Sequence, residues 1–205
     1  MFDCWVGDDD DDPASADVCA ALKAFSARAR VFFIRGNHDF MAGAGFERRA
    51  GCAVLPAEHV IVCGGQTVLL MHGDSLCADD RAYQRYRRLV HNGLSRRLLA
   101  RLGLKTRRRI AAWMMRNNRV FNVNKPAGIM DVNQDAVRAR MRKHRASLLI
   151  HGHTHRRAEH VVDLGGGDTG RRVVLGNWGR DGGDGAVGNA FMLDNGETRW
   201  LSLPG

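Results

Sequence analysis

Three short motifs in this chain gather side chains able to hold metal ions and phosphate: Gly36-Asn37-His38-Asp39, His72-Gly73-Asp74 and Gly152-His153-Thr154-His155. Their donors are imidazole nitrogens, an amide oxygen and carboxylates, with no thiolate among them. That mix suits borderline-hard divalent ions such as Mn2+, Fe2+ or Zn2+. His153 and His155, two apart in an extended loop, face the same side, and each can reach one ion of a close pair. Alone, each motif is weak, because a single His after a strand is more often structural than a ligand. The signal is the three in this order. Other chemistry finds less support. Ser75, Ser95 and Ser202 stand in no nucleophile-elbow pattern, and the glycine-rich stretch from Gly185 to Ala190 lacks the strand-to-helix setting of a phosphate loop.

Short elements must position these motifs. Residues 16–30 carry Val18, Ala21, Leu22 and Phe25 at helical spacing. Val31 to Ile34 is an apolar β-forming run that reads as a buried strand entering the Gly36-Asn37 turn. Residues 54–55, 59–62 and 67–71 read as further strands, with Gly64-Gly65 turning the last two into a hairpin. Leu148 to Ile150 is a strand that runs straight into His151. Residues 171–175 and 190–193 are expected to close a sheet, and 197–203 to form a last strand, with glycines 165–167 and 182–188 in loops. Ligand loops gather at strand ends in layered α/β folds, where the motifs fall.

The chain has 205 residues, 44% hydrophobic and 26% charged, an ordinary balance for one globular domain with or without an insertion. No apolar run is long enough for a transmembrane helix, and the first residues lack the basic and apolar regions of a signal peptide. Five cysteines, with no CxxC pair, argue against a disulfide framework or zinc ribbon and for a reducing cytoplasm. The net charge of +9 is concentrated. From Arg81 to Arg119 there are thirteen Lys or Arg and no acid, whereas acids outnumber bases in the rest of the chain. This segment is helical, with Leu89, Val90, Leu94, Leu98, Leu99 and Leu102 recurring between arginines and Ile110, Trp113 and Met114 after the Gly103 break. A further helix is expected from about Asp131 to His144. Basic amphipathic helices suit a membrane surface, a nucleic-acid backbone or another anionic partner, and otherwise simply cover a core with a solvated basic face.

The order GNHD, HGD, GHTH resembles the calcineurin-like metallophosphoesterases. More narrowly, the chain resembles the UDP-2,3-diacylglucosamine pyrophosphohydrolases of lipid A synthesis. That narrower likeness rests on Phe2-Asp3-x-Trp5-Val6-Gly7-Asp8-Asp9, Gly36 to Phe40, His72-Gly73-Asp74-x-Leu76-Cys77-x-Asp79-Asp80, Tyr83, Ile129 to Asn133 and Leu149 to Arg156. The resemblance implies an α/β fold, a four-layer αββα sandwich, as a single domain over 1–205 with a basic helical cap inserted at about 80–125. It implies Mn2+-dependent hydrolysis of UDP-2,3-diacylglucosamine, with water attacking the α-phosphorus to give UMP and 2,3-diacylglucosamine 1-phosphate. By motif position Asn37, His72 and His153 belong to one metal and His155 to the other. His38 is the expected catalytic residue, with Asn37, His38 and His153 at the substrate. Asp80, Asn118, Asn122 and Lys125 fall where the family contacts the sugar and nucleotide. The cap's apolar stripe would hold acyl chains and its arginines would meet anionic head groups. The implied protein is a monomer, cytoplasmic and peripheral on the inner face of the bacterial inner membrane, with no nucleic-acid partner.

The chain departs from the family at its start. The family's first strand carries Asp-x-His, followed by a Gly-Asp motif just ahead of the Phe-Asp-x-Trp stretch; here Met1-Phe2-Asp3 begins immediately after that point. The expectation is therefore a chain read from an internal start, lacking the first strand, impaired as given, and holding one ion or none where the complete site holds two Mn2+. The acidic run Asp8 to Asp12 is read as a solvated loop rather than a substitute metal site, since neighbouring like charges repel. Three functions follow: the lipid A hydrolase, another metallophosphoesterase such as a nuclease, and a non-catalytic membrane-surface binding protein.

Overall fold

The structure, a computed structural model, describes residues 4–123, 131–177 and 188–203; for 117–123, 188, 189, 202 and 203 it describes the backbone alone. The chain divides into two compact units, Met1–Pro56 with Asp80–Met130 and Ala57–Asp79 with Asp131–Gly205.

The first unit opens with helix α1, Pro13–Ser26, whose start is set by Pro13 and by Asp12, which accepts a hydrogen bond from Ser15 N at 2.9 Å. Strand β1, Val31–Ile34, pairs in parallel with β2, Cys52–Leu55, across the short helix α2, Ala44–Ala50. Gly51, at φ 64°, ends α2 in the left-handed conformation that favours glycine. Trp5, Phe46, Cys19 and Cys52 form the core, with the Trp5 and Phe46 rings 5.1 Å apart edge to face. Strand β1 is less buried than its composition suggests: Val31 and Phe33 pack against the core, whereas Phe32, on the opposite face, is 56% exposed. The basic segment folds into α3, Arg81–His91, α4, Gly93–Ala100, and α5, Leu104–Val123, with the break before α5 at Gly103 as expected. Its stripe is not a core face throughout. Val90 is buried, whereas Leu89, Leu94, Leu98 and Trp113 are more than half exposed.

The acidic run is a loop with Asp8, Asp9 and Asp11 exposed, as expected, but Asp10 is buried and the carboxylates are paired. Asp8 accepts from Gly45 N at the start of α2, Asp9 pairs with Arg107, and Asp10 and Asp11 pair with Arg108. Asp10 is 6% exposed and Arg107 equally buried. The like charges that would repel in solution are each matched by a cation or an amide.

In the second unit a mixed five-stranded sheet runs β3-β4-β5-β7-β6. Its strands are β3, Glu58–Cys63, β4, Gln66–Met71, β5, Leu148–His151, β6, Ala158–Gly165, and β7, Asp168–Val174. Gly64 and Gly65 make the β3–β4 turn at φ 55° and 74°, the positive values of a tight hairpin. Helix α6, Gln134–Lys143, is capped by Asn133 and buries Val137 and Met141 with Leu69, Leu149 and Val162. The hairpin β8, Gly188–Asp194, with β9, Glu197–Leu203, packs Phe191, Leu193 and Trp200 against Val68, Leu148 and Val173. It is a separate sheet rather than the closing of the first. Strand β7 is already paired on both sides, by β5 and β6, so β8 cannot pair with it, and its only strand partner among the described residues is β9. Strand β6 escaped the sequence reading because it is an edge strand in which only Val162 is buried.

Candidate functional site

In the first unit the Gly36–Asp39 motif follows β1. Asp39 accepts a hydrogen bond from Gly36 N, closing the turn, and Trp5 N donates to His38 O at 2.8 Å. Burial pushes the Asp39 carboxyl up, with the Gly36 bond opposing. The turn leaves Asn37 half-buried and His38 exposed. Asp80 caps α3, accepting from Tyr83 N at 3.0 Å. Lys125 and the side chains of Asn118 and Asn122 lie outside the described residues.

In the second unit, strand register brings two motifs together. Strands β4 and β5 are parallel neighbours with Met71 opposite His151, so their C-terminal ends coincide. Gly152 N donates to His72 O at 2.9 Å, and the His72 and His153 rings lie 5.1 Å apart at 65°. Gly73 has no alternative residue here: its φ is 110°, and a β-carbon would stand 2.7 Å from His151 Nδ1. The loop beyond β5 is not extended as expected. His153 and His155 adopt φ 67° and 56°, a conformation uncommon for residues with a β-carbon. His155 is exposed, while Thr154 buries its Oγ1 with no hydrogen-bond partner among the described residues.

Beneath this turn lie two residues the sequence reading did not single out. His151 is 1% exposed and Arg172 3% exposed. Arg172 Nη1 donates to His151 Nε2 at 3.2 Å, so the proton of the neutral ring is on Nδ1, which donates to Gly152 O at 2.9 Å. Burial holds the His151 pKa down to about 4, the Gly152 bond opposing. His151 is thus a neutral strut and not a ligand. The signal that could have found this pair is an arginine placed directly before Val173 and Val174 at the end of β7.

The donors fit a divalent ion in part. His72 and His153 offer imidazole rings close enough to share one ion, and such nitrogens are common ligands. Among the described residues no group of three or more His, Cys, Asp or Glu converges as a closed site would require. Asn37 belongs to the other unit.

Comparison of the sequence with known proteins shows one family. The model of the calcineurin-like phosphoesterases matches residues 3–157. The UDP-2,3-diacylglucosamine hydrolase of Pectobacterium carotovorum subsp. carotovorum strain PC1 is 45% identical over 183 residues, covering 89% of this chain and 76% of that protein. The protein of the same name from Edwardsiella ictaluri strain 93-146 is 46% identical over 179 residues, covering 87% of this chain and 69% of its own. Among solved structures, a novel archaeal phosphodiesterase overlaps 90% of this chain and 76% of that one, with a TM-score of 0.42 and 11% identity.

Proposed function

Because this chain belongs to the calcineurin-like phosphoesterase family, we propose that it hydrolyses the pyrophosphate bond of UDP-2,3-diacylglucosamine in lipid A synthesis. The observation that carries the reading is its identity, near one residue in two across most of its length, to relatives of that name. The juxtaposition of His72 and His153 at neighbouring strand ends supports it.

Members of this family use divalent metals, and we take the ions here to be Mn2+. By motif position, Asn37, His72 and His153 hold one ion and His155 the other. When bound, such ions neutralise phosphate charge and orient the pyrophosphate. The chain's own residues do the rest. His38, exposed at the end of its turn, hydrogen-bonds the phosphate as the catalytic histidine, and Asn37 and His153 border the same group. Asp80, Asn118, Asn122 and Lys125 bind the sugar and nucleotide. Water adds to the α-phosphorus while its bond to the bridging oxygen breaks. UMP gains the water oxygen, and 2,3-diacylglucosamine 1-phosphate leaves with the bridging one.

The helices of 81–123 are, in this reading, the cap insertion of a single metallophosphoesterase domain. Trp5, Val6, Phe40, Leu99, Ile110 and Met114 line a small apolar cleft of about 20 Å3, and in this reading the cap's apolar stripe holds the acyl chains. Exposed Leu89, Leu94, Leu98 and Trp113 alternate with arginines, an arrangement suited to an anionic membrane surface, where each base adds about 1 kcal/mol. Among the described residues no helix is long and apolar enough to cross a membrane. We place the protein as a monomer on the cytoplasmic face of the inner membrane. The test is Mn2+-stimulated release of UMP by the purified protein, abolished by His153→Ala. A protein that binds Mn2+ and leaves the lipid intact contradicts the substrate. Cleavage of DNA or RNA that weakens steeply with salt would favour a nuclease instead.

A further inference from the structure

The turn that carries His153 and His155 is strained at both histidines, and the buried Thr154 hydroxyl between them adds an unmet hydrogen bond among the described residues. Backbone of this kind persists only where its surroundings over-determine it. On the upstream side that is done by β5 and by the bond from Gly152 N to His72 O. Downstream, the two residues after His155 are both anchored. Arg156 Nη1 donates to Asp131 Oδ2 at 2.8 Å, and the Arg157 guanidinium lies over the Trp200 ring at 4.6 Å.

Asp131 is well placed for this. Its other oxygen accepts from Val132 N at 2.7 Å, which fixes the carboxylate at the head of the segment leading into α6. That helix is held to the sheet by fully buried Val137 and Met141. The charge of Asp131 also reaches buried Arg172 and His151 beneath the turn. We propose that Asp131 is a positioning residue: acting through Arg156, it holds the His153–His155 turn in the strained form that presents both imidazoles to a divalent ion. The proposal rests on reading these histidines as metal ligands. Asp131 itself touches neither ion nor substrate. The Arg156 and Asp131 side chains are 51% and 39% exposed, so their pairing contributes little to global stability and its effect on the turn is separable from folding.

The test uses the whole chain. Asp131→Asn keeps an oxygen for Val132 N and removes the charge; Arg156→Gln removes the partner. Without metal, hydrogen exchange at the amides of residues 152–157 is expected to quicken about two- to fivefold in either variant, with α6 and β4 unchanged. Titration with Mn2+ alone, followed by electron paramagnetic resonance, is expected to show an affinity roughly two- to fivefold weaker. The double variant is expected to be no worse than either single one, because both remove the same contact, and Asp131→Glu to recover part of the loss. Unchanged exchange with unchanged Mn2+ affinity overturns the proposal. So does exchange that quickens throughout α6, which marks a merely structural role. A parent chain that binds no Mn2+, with exchange in the turn still faster in Asp131→Asn, upholds Asp131 as the anchor and counts against the ligand reading.

Discussion

Replacing Arg107 by methionine removes the cation around which the first unit closes its acidic loop. Three bonds are lost: Nη1 to Val6 O at 2.7 Å, Nε to Leu102 O at 3.0 Å, and Nη2 to Asp9. They are not equal. Val6 is 7% exposed, so its carbonyl loses a partner that water does not replace, at a cost of about 1–3 kcal/mol. Asp9 is 61% exposed and rehydrates, so its pairing is worth about 0–1 kcal/mol even though the Arg107 bond holds its carboxyl below the usual range. Methionine keeps most of the apolar stem, which limits the packing loss. The expected destabilisation is about 2–4 kcal/mol for Arg107→Met, against about 1 kcal/mol or less for Asp9→Asn. Gly7→Ala should behave like Arg107→Met, because a β-carbon there overlaps Arg107 Nη1. Urea unfolding followed by fluorescence reads this, with Trp5 1% exposed in the adjoining core. If Asp9→Asn costs as much as Arg107→Met, the ion pair and not the buried carbonyl carries the contact, and the reasoning fails.

Three further outcomes are expected. Burial alone would push the Glu58 carboxyl up, but hydrogen bonds from Lys143 and His144 and the charge of Arg140 hold it down to about 2. Its folded pKa is therefore below the unfolded value near 4.5, so its contribution is complete above pH 4.5 and lost as the pH falls toward 2. An NMR titration of Glu58 should show a midpoint near 2 that rises in Lys143→Met. Gly73→Ala should cost about 1–3 kcal/mol through its positive φ, and the shift of His151 should also separate the His72 and His153 rings, visible as changed histidine ring shifts. Paired Leu94→Glu and Leu98→Glu changes should weaken binding to anionic liposomes about tenfold or more without altering thermal stability, since both leucines are exposed. Unchanged binding would remove the cap from the membrane.

The strands that bear the motifs were legible because each is a short apolar run ended by glycine or a polar turn. The β3–β4 hairpin, β5 and the helices of 81–123 all carry their own local signal. The meeting of His72 and His153 was legible only as motif order, because contact between them depends on β4 and β5 being parallel neighbours. What stayed hidden depended on partners distant in sequence. Asp8 to Asp12 read as repelling charges until Arg107, Arg108 and the α2 amide are placed beside them. Strand β6 carries four exposed residues among its first six and so lacks an apolar pattern. The strained turn at His153 and His155 gives no sequence sign, since neither is glycine. Phe32 shows the reverse case, an apolar residue on the strand face opposite the core that Val31 and Phe33 join.

The most direct test of the central claim is hydrolysis of UDP-2,3-diacylglucosamine in 18O-labelled water by the purified protein, with both products weighed by mass spectrometry. Water attack on the α-phosphorus predicts one labelled oxygen in UMP and none in 2,3-diacylglucosamine 1-phosphate. Label in the lipid phosphate, or turnover that yields no UMP, contradicts it.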